Sequence, residues 1–581
     1  MSLIKILFTV FLFACLFVLM LPATPEAMLP SQQIEAPRPH DRPSIRTSLG
    51  NEHFEVLIIG GGASGAGIAL DAANRGLKVA LVERYDFAAG TSAKSTKLAH
   101  GGVRYLEKAV KNLDFDQYKL VREALHERGN FFKLAPFLVK PLQIITPLYR
   151  PWEVPYMWAG LKLYDWIAGS ASLHQSQYLS PGEVHAQLPQ LKEEGLVGGV
   201  SFYDGQFNDS RLNISLILSA ISRGATVLNY SEVTSLLNQH RDDSLSGAEV
   251  IDRLTGESYI INADLVINAA GPYVDAIRRM DDPAVKPLIA ASSGTHLILQ
   301  GDLLPNKAGI LIPKTKDGRV IFMLPWQNAT LVGTTDNPVE LSNQPLPTKE
   351  EVDYLLAYVS EYLEVSSEQL RVKSAWTGIR PLVSSQGIAD TASLVRDHYL
   401  EVSDHGLVTI TGGKWTTFRK MAQDTVDKVE ELLEREVSYV GSTAQLCLVG
   451  SSGYTVSLAA QLAAEYQLPL LCTEHLVSAY GGRAGDLLAF GKAENLNQFL
   501  HPDHPLLLSE VHWAIQHEYA VKPLDILARR TRLATLDAEA ALSVLPRVVE
   551  VLAAKLQWNR TETEKEESVA KVELLAMRGN I

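Results

Sequence analysis

The chain has 581 residues, 46% hydrophobic and 20% charged, a globular composition too long for a single core, so two or three domains are expected. A net charge of -13 argues against a nucleic-acid partner, which needs a basic surface to neutralise phosphates. Cys15, Cys447 and Cys472 are far apart and form no CxxC pair, so neither a disulfide framework nor a metal site is expected.

After Lys5 the chain runs ILFTVFLFACLFVLML, from Ile6 to Leu21, with scarcely a polar atom. This is a targeting or anchoring element. Its length falls a little short of the roughly 20 residues of a spanning helix, and the Lys5 start resembles a secretory n-region, so a cleaved signal and a short anchor both stay open. The Pro-, Ser- and Arg-rich stretch that follows reads as a flexible linker, making residues 1–53 a preface to the fold.

From Phe54, FEVLII is a continuous apolar strand, GGGASGAGIALDAANRG a glycine-rich turn and helix, and LKVALVE a second strand. Strand, helix and strand within about thirty residues make the βαβ unit of a parallel sheet. The apolar strand DLVINAAG, some two hundred residues later, reads as a return to that sheet. Short strands cut by Gly, Pro, Asn and Asp suggest an antiparallel lobe inserted at about 131–200 and 286–375, which places a discontinuous nucleotide domain over 54–435. Apolar spacings of 3 and 4 over 436–581 predict an all-helical C-terminal domain. There is no internal repeat and no D-x-D-x-D-G calcium loop.

Gly60, Gly62 and Gly65 fit G-x-G-x-x-G: a tight turn, room for a pyrophosphate against backbone, and close helix packing. The phosphates would rest on a helix N-terminus, where free N–H groups and the dipole favour negative charge. Glu83 closes the second strand at the distance expected of a carboxylate that accepts from ribose hydroxyls. The motif alone does not separate FAD from NAD, because both ADP halves dock alike. The next segment does: GTSAKSTKLAHGGVRYLE offers Thr91, Ser92, Ser95, Thr96 and Lys97, then Gly101 and Gly102, a small-residue run suited to an extended FAD.

GTSAKSTKLAHGGVRYLE resembles the signature of FAD-dependent glycerol-3-phosphate dehydrogenases. So, in order, do YDGQFNDSRL, NAAGPYV, GTHLIL, MLPW, GTTD, TGIRPL, RDHYL and TGGKWTTFRKMA. The likeness runs from about Phe54 into the C-terminal helices and is greatest to the mitochondrial, quinone-reducing enzymes. It implies an α/β fold: a FAD-binding Rossmann-like domain of the glutathione-reductase and D-amino-acid-oxidase type, an antiparallel-sheet substrate lobe and a helical C-terminal domain. It also implies oxidation of glycerol 3-phosphate to dihydroxyacetone phosphate, with electrons passed to a ubiquinone-type acceptor. The chain ends at Ile581 without the calcium-binding helix-loop-helix of animal members, so calcium regulation is not expected.

Oxidising a secondary alcohol needs a base for the hydroxyl proton, a flavin for the hydride and cations for the phosphate. By resemblance Arg104, Tyr105 and Lys414 contact the phosphate, Arg396 adds positive charge to the substrate pocket, Arg380 sits over the reacting carbon and its oxygen, and His296 is the candidate base, with water or a lysine as the other choices. Arginine engages phosphate bidentately, and histidine exchanges protons near neutrality. Gly271 in NAAGPYV joins the cofactor set. Gly412, Gly413 and Lys414 precede a helical run whose N-terminal N–H groups suit negative charge building on a flavin. Asp209 and Arg211 read as an ion pair tying lobes together. Arg529, Arg530 and Arg532, with His517, read as a solvated helix face or, alternatively, a lipid-headgroup contact.

Two rivals share these residues: an oxidase that delivers electrons to O2, and a flavin-bound substrate sensor without turnover. The resemblance places the protein at the outer face of the mitochondrial inner membrane, with a secretory or plasma-membrane anchor as the other reading of the N-terminus. No amphipathic helix stands out as a quinone dock, and the oligomeric state, a homo-oligomer included, stays open.

Overall fold

A computed structural model describes residues 32–37, 41–102, 106, 114–238, 244–383, 398–435 and 443–579. The hydrophobic N-terminal run and the candidate residues Arg104, Tyr105 and Arg396 lie outside them. Among the described residues no helix is long and apolar enough to cross a membrane.

The segment read as a linker contains a helix, α1 (Arg42–Asn51). Leu49 is fully buried, and Arg42 donates to the Asn229 side chain at 2.8 Å and carbonyl at 2.6 Å. The Pro and Arg that suggested a linker begin a helix and bind the sheet: Pro43 stands in the first turn, where its missing N–H costs nothing. The body of the fold thus starts before Phe54. Further upstream, Gln32–Gln33 pair in parallel with Leu446–Cys447.

The nucleotide fold follows as β1 (His53–Ile59), α2 (Ala63–Asn74) and β2 (Val79–Val82). Val56, Leu57, Ile58 and all of β2 are buried, the continuous burial of a parallel sheet covered on both faces. The DLVINAAG run ends β3 (Ser258–Asn268), which pairs in parallel with β1 from Asn262↔His53 to Asn268↔Ile59, as its apolar sequence predicted. The eight-stranded sheet continues through β2 to Thr226–Leu228 on one side and through Val408–Gly412 to His398–Val402 on the other.

The second sheet has ten strands, drawn from Leu98–Ala99 to Val372–Val383. Its longest pairing joins β4 (Ile289–Leu299) to β5 (Val372–Val383), antiparallel, with His296 opposite Trp376 and Ser292 opposite Arg380. The sheet is largely antiparallel, with one parallel pairing, Gly309–Ile310 beside Ile144–Ile145. Candidate base and candidate arginine thus stand on adjacent strands of one rigid sheet.

The C-terminal domain is helical from Leu458–Tyr466 to Arg560–Ala576, with one small hairpin, Phe499–His501 against His504–Leu507. It is therefore not wholly helical: the short alternation around Pro502 closes a turn that helical spacing does not register. The domain is bolted to the nucleotide fold by buried ion pairs. Arg211 donates to both Glu518 oxygens at 2.5 and 2.9 Å, and Arg483 adds a bond at 3.1 Å.

Asp209 and Arg211 do bridge units, but not to each other: Asp209 takes Lys97 and Arg532 while Arg211 takes Glu518. Arg529, Arg530 and Arg532 are not a solvated face. Their side chains are 14%, 0% and 1% exposed. Arg529 and Arg530 share Asp86, and Arg532 reaches Asp209. The carboxylates that draw them inside, Asp86 and Asp209, lie hundreds of residues away, so local charge pattern could not reveal the burial. His517 is stacked on Trp513, with ring centroids 3.9 Å apart.

Candidate active site

The glycine turn works by close approach. Gly60, at φ +113°, has no room for a side chain, since a Cβ would stand 2.6 Å from the carbonyl oxygen of Ala269, the residue after neighbouring β3. A methyl at Gly65 would overlap the Gly60 carbonyl oxygen, so the third glycine lets α2 begin against the turn. Gly62 is the N-cap of α2. Ser92 reaches into this end: its hydroxyl accepts from the Ala63 N–H at 2.9 Å, and its carbonyl accepts from the Trp415 indole at 2.9 Å.

Glu83 accepts the N–H groups of Gly61 at 2.7 Å and Tyr85 at 2.9 Å. Burial pushes its carboxyl up, and the two backbone bonds pull it back. The carboxylate therefore braces the turn, and each oxygen keeps a second lone pair for a hydroxyl donor.

One cavity of about 3170 Å³ runs from this turn into the second sheet. Its lining includes Gly60, Gly62, Glu83, Thr91, Ser92, Ser95, Thr96, Gly102, Gly271, His296, Arg380, Gly412, Gly413 and Lys414. The structure thus gathers on one surface the glycine turn, the small-residue run and three of the candidate catalytic or substrate groups. Gly65 acts behind the lining as a packing contact. Gly101 is held from behind too: its N–H donates to the Tyr164 hydroxyl at 2.8 Å, which donates to Asp204, itself bound by Arg128 at 2.8 Å. Lys97, expected among the cofactor groups, turns its ammonium away from the cavity to Asp209, at 3.1 and 3.0 Å from the two oxygens. A buried ammonium goes where a carboxylate can neutralise it.

Gly412 and Gly413, at φ +77° and +64°, make the turn that Lys414 leaves, and the helix Phe418–Leu432 follows the short helical turn Trp415–Thr417. The His100 N–H donates to the Thr416 hydroxyl at 3.1 Å, which ties this turn to the small-residue run.

Among the described residues, Arg380 is pinned by four bonds. Its guanidinium donates to the Ser293 carbonyl at 2.8 Å, the Thr335 carbonyl at 3.0 Å, the Thr334 hydroxyl at 3.0 Å and the Asp336 carboxylate at 3.3 Å. These are the residues of GTTD and its neighbouring strand, so that segment is the seat of the arginine. Below it lies buried Glu351, which accepts from Thr295 at 2.7 Å, Thr335 at 2.8 Å and Asn337 at 2.9 Å.

His296 is 2% exposed, its Nε2 lies 3.0 Å from the Thr96 hydroxyl, and its ring stacks on Trp376 at 5.7 Å and 12°. Burial, with the charges of Lys97 and Arg380, pushes the imidazole down to about 3, so it is neutral. Gly333 leaves the space the ring occupies, and Gly294 the space of the Arg380 guanidinium; a methyl at either would overlap the side chain. Sequence reading passed over Gly294, Gly333, Asp336, Tyr164 and Trp376. The only trace of them was that GTHLIL and GTTD each carry a glycine inside an otherwise well-formed strand, a sign of close approach.

A glycine-turn dinucleotide cradle opening into a pocket with a fixed guanidinium and a neutral imidazole defines the class, an FAD-dependent oxidoreductase. Residues 55–419 match the family model described as FAD dependent oxidoreductase, and residues 441–563 match that of the C-terminal domain of alpha-glycerophosphate oxidase. Mitochondrial glycerol-3-phosphate dehydrogenase of Rattus norvegicus is 43% identical over 547 residues, 92% of this chain and 75% of the rat protein. A mitochondrial glycerol-3-phosphate dehydrogenase of Arabidopsis thaliana is 42% identical over 94% of this chain and 89% of its own. The crystal structure of the Bacillus halodurans glycerol-3-phosphate dehydrogenase complexed with FAD superposes with a TM-score of 0.75 at 28% identity, covering 92% of this chain and 97% of that one. The chain belongs to the FAD-dependent glycerol-3-phosphate dehydrogenase family, and its cofactor is FAD.

Proposed function

We propose that the protein oxidises sn-glycerol 3-phosphate to dihydroxyacetone phosphate and delivers the electrons to a membrane quinone. The observation that carries this reading is the pairing of His296 and Arg380 on adjacent strands, in the same cavity as the dinucleotide cradle. FAD, when bound, supplies the hydride acceptor. Around it, Gly60, Gly62, Thr91, Ser92, Gly102, Gly271, Gly412 and Gly413 would form the walls, and Glu83 would face the ribose.

Arg380, fixed before substrate arrives, orients the C2 hydroxyl and favours its alkoxide without reorganising. Neutral His296 has a free lone pair for the hydroxyl proton, and the substrate phosphate, an anion, makes the ring more basic as it binds. Lys414 would supply a point charge to the phosphate, joined by Arg104 and Tyr105 by family likeness, with Arg396 adding positive charge to the pocket. The oxidation then leaves a ketone at C2 and a proton on the imidazole.

The compartment in this reading is supported by the relatives, which are named mitochondrial, and the membrane acceptor by one surface feature. The helix Glu153–Ala168 and its cap expose Trp152 (58%), Tyr156, Trp158 (44%) and Trp166 (48%). Lys162 lies over the Trp158 ring and Arg150 over Trp152. Aromatic rings flanked by cations suit the headgroup layer of a bilayer. The same helix walls the cavity that reaches Gly102, a largely apolar path for an apolar acceptor. In this reading the protein lies on the outer face of the mitochondrial inner membrane.

The test is an anaerobic titration of the holoprotein with glycerol 3-phosphate. The yellow colour bleaches, and a quinone analogue restores it. Protein that stays yellow would sink the reading, and stoichiometric peroxide in air with no quinone reduction would replace the acceptor by O2.

A further inference from the structure

Behind the wall that carries His296 lies a charge cluster with no part in the reaction described so far. Asp209, fully buried, accepts from the Lys97 ammonium, from the Ser95 N–H at 3.0 Å and hydroxyl at 2.8 Å and from the Ser210 N–H at 2.8 Å, and forms an ion pair with Arg532 at 3.2 Å. The remaining bonds of Arg532 go to the carbonyl oxygens of Ala93 and Ala528, each at 3.2 Å. Two cations thus share one carboxylate out of contact with water.

Both cations hold unfavourable backbone positions. Lys97 has φ +62° and Arg532 φ +67°, the left-handed region that an ordinary L-residue rarely adopts because its Cβ crowds the following carbonyl. Glycine or asparagine would fill either turn at less cost and without burying a charge. Backbone strain at a buried lysine and a buried arginine that meet at one carboxylate points to a use for the side chains.

The geometry shows where that use is felt. The Lys97 ammonium lies 5.2 Å from the centroid of Trp376, the ring on which His296 stacks, and 5.5 Å from that of Trp326. Its neighbour Thr96 carries the hydroxyl at His296 Nε2. The C-terminal domain, from which Arg532 comes, also grips the strand of Trp376: Ser374 donates to the Thr535 carbonyl at 2.5 Å, the Ala375 N–H to the Met577 carbonyl at 2.8 Å, and Lys373 pairs with Asp537 at 2.8 Å.

We propose that Lys97 and, through Asp209, Arg532 of the C-terminal domain are positioning residues that set the charge felt by His296 and the seat of Trp376. The role rests on His296 acting as the base. The groups facing His296 are Lys97 and Thr96 from the small-residue run, Arg380 and Trp376 from β5, and Asp209 from the helix Asp209–Ser222. Those facing Lys97 are Asp209 and Arg532. Burial and Arg532 lower Lys97 to about 7, against the pull of Asp209. A charged Lys97 opposes a proton on His296. The C-terminal domain, by supplying Arg532, decides over what pH range Lys97 is charged.

The two cations therefore predict different effects. Removing Lys97 frees His296 to take a proton more readily. Removing Arg532 leaves Asp209 to Lys97 alone, which stays charged to higher pH and keeps His296 neutral at least as well. Two readouts in the FAD-loaded full chain separate these: the acid limb of anaerobic flavin reduction, and the ring resonances of ¹³C-labelled histidine, with His296 assigned from His296→Asn.

In Lys97→Met, and in Lys97→Gln, which keeps a hydrogen bond to Asp209, both midpoints should rise by about one pH unit or more. In Arg532→Met neither should rise, and Lys97→Arg should restore the wild-type profile. Midpoints unchanged in both Lys97 variants, or raised equally in the Lys97 and Arg532 variants as general loosening would do, would overturn the proposal. The resonance readout does not depend on turnover. A protein that failed to bleach with glycerol 3-phosphate would remove the proposed activity and leave this charge coupling to be judged separately.

Discussion

His296 and Arg380 divide the work at the level of single side chains: one is neutral and can accept a proton, the other is fixed and charged. Replacing His296 by Asn should slow flavin reduction by about 10²–10⁴-fold, the usual worth of a positioned acid or base, with FAD retained. Anaerobic stopped-flow absorbance measures it. Gly294→Ala tests the seat without replacing either group, because the new methyl overlaps the Arg380 guanidinium. Displacement of the arginine should cost on the order of 10²-fold in the reduction rate, and an unchanged rate would show that its placement is not critical. His296 and Arg380 were legible as candidates from the motifs around them. Gly294, Gly333 and Asp336 were not, since what they do is leave space or anchor a group across a sheet.

At the scale of elements, α2 depends on the overlap that Gly65 avoids. Gly65→Ala pushes the helix from the Gly60 carbonyl, and the expected outcome is protein purified largely without FAD, read from the ratio of flavin to protein absorbance. The strand, turn, helix and strand here were plain in sequence because each was locally consistent, an apolar run followed by glycines and helical spacing. The helix Glu153–Ala168 was hidden by its composition: its apolar residues follow no clear period, and the proposed lipid contact rests on its exposed Trp and Tyr rings, which stand on the wall of the active-site cavity. Changing Trp152, Trp158 and Trp166 together to Ser should lower sedimentation with anionic liposomes several-fold while sparing turnover with a soluble dye acceptor. Equal loss of both would mean the helix is structural.

Over the whole molecule, the C-terminal domain is held by charge. Arg211, Arg483 and Glu518 meet where no water reaches, and these arginines hold the Glu518 carboxyl down at about 2 against the opposing effect of burial. A lowered carboxylate contributes stability above its unfolded value, near 4.5. That contribution is lost as pH falls from there through about 2. Glu518→Gln should therefore cost about 3–5 kcal/mol at neutral pH, the penalty of orphaning a buried pair. Urea midpoints should converge with the wild type as the medium is acidified, and a constant gap down to pH 3 would place the loss elsewhere.

By itself the amino-acid order determined the nucleotide fold, the cofactor class and the motifs that hold His296, Arg380 and Lys414. Those features are written in local pattern: period, glycine spacing and short ordered segments. Tertiary structure alone decided that the Arg529–Arg532 cluster is interior, that α1 belongs to the fold, that Lys97 faces Asp209 and that His296 rests on Trp376. Each of these depends on partners far apart in the chain. A buried charge goes wherever a counter-charge is folded against it, and no window of sequence contains both.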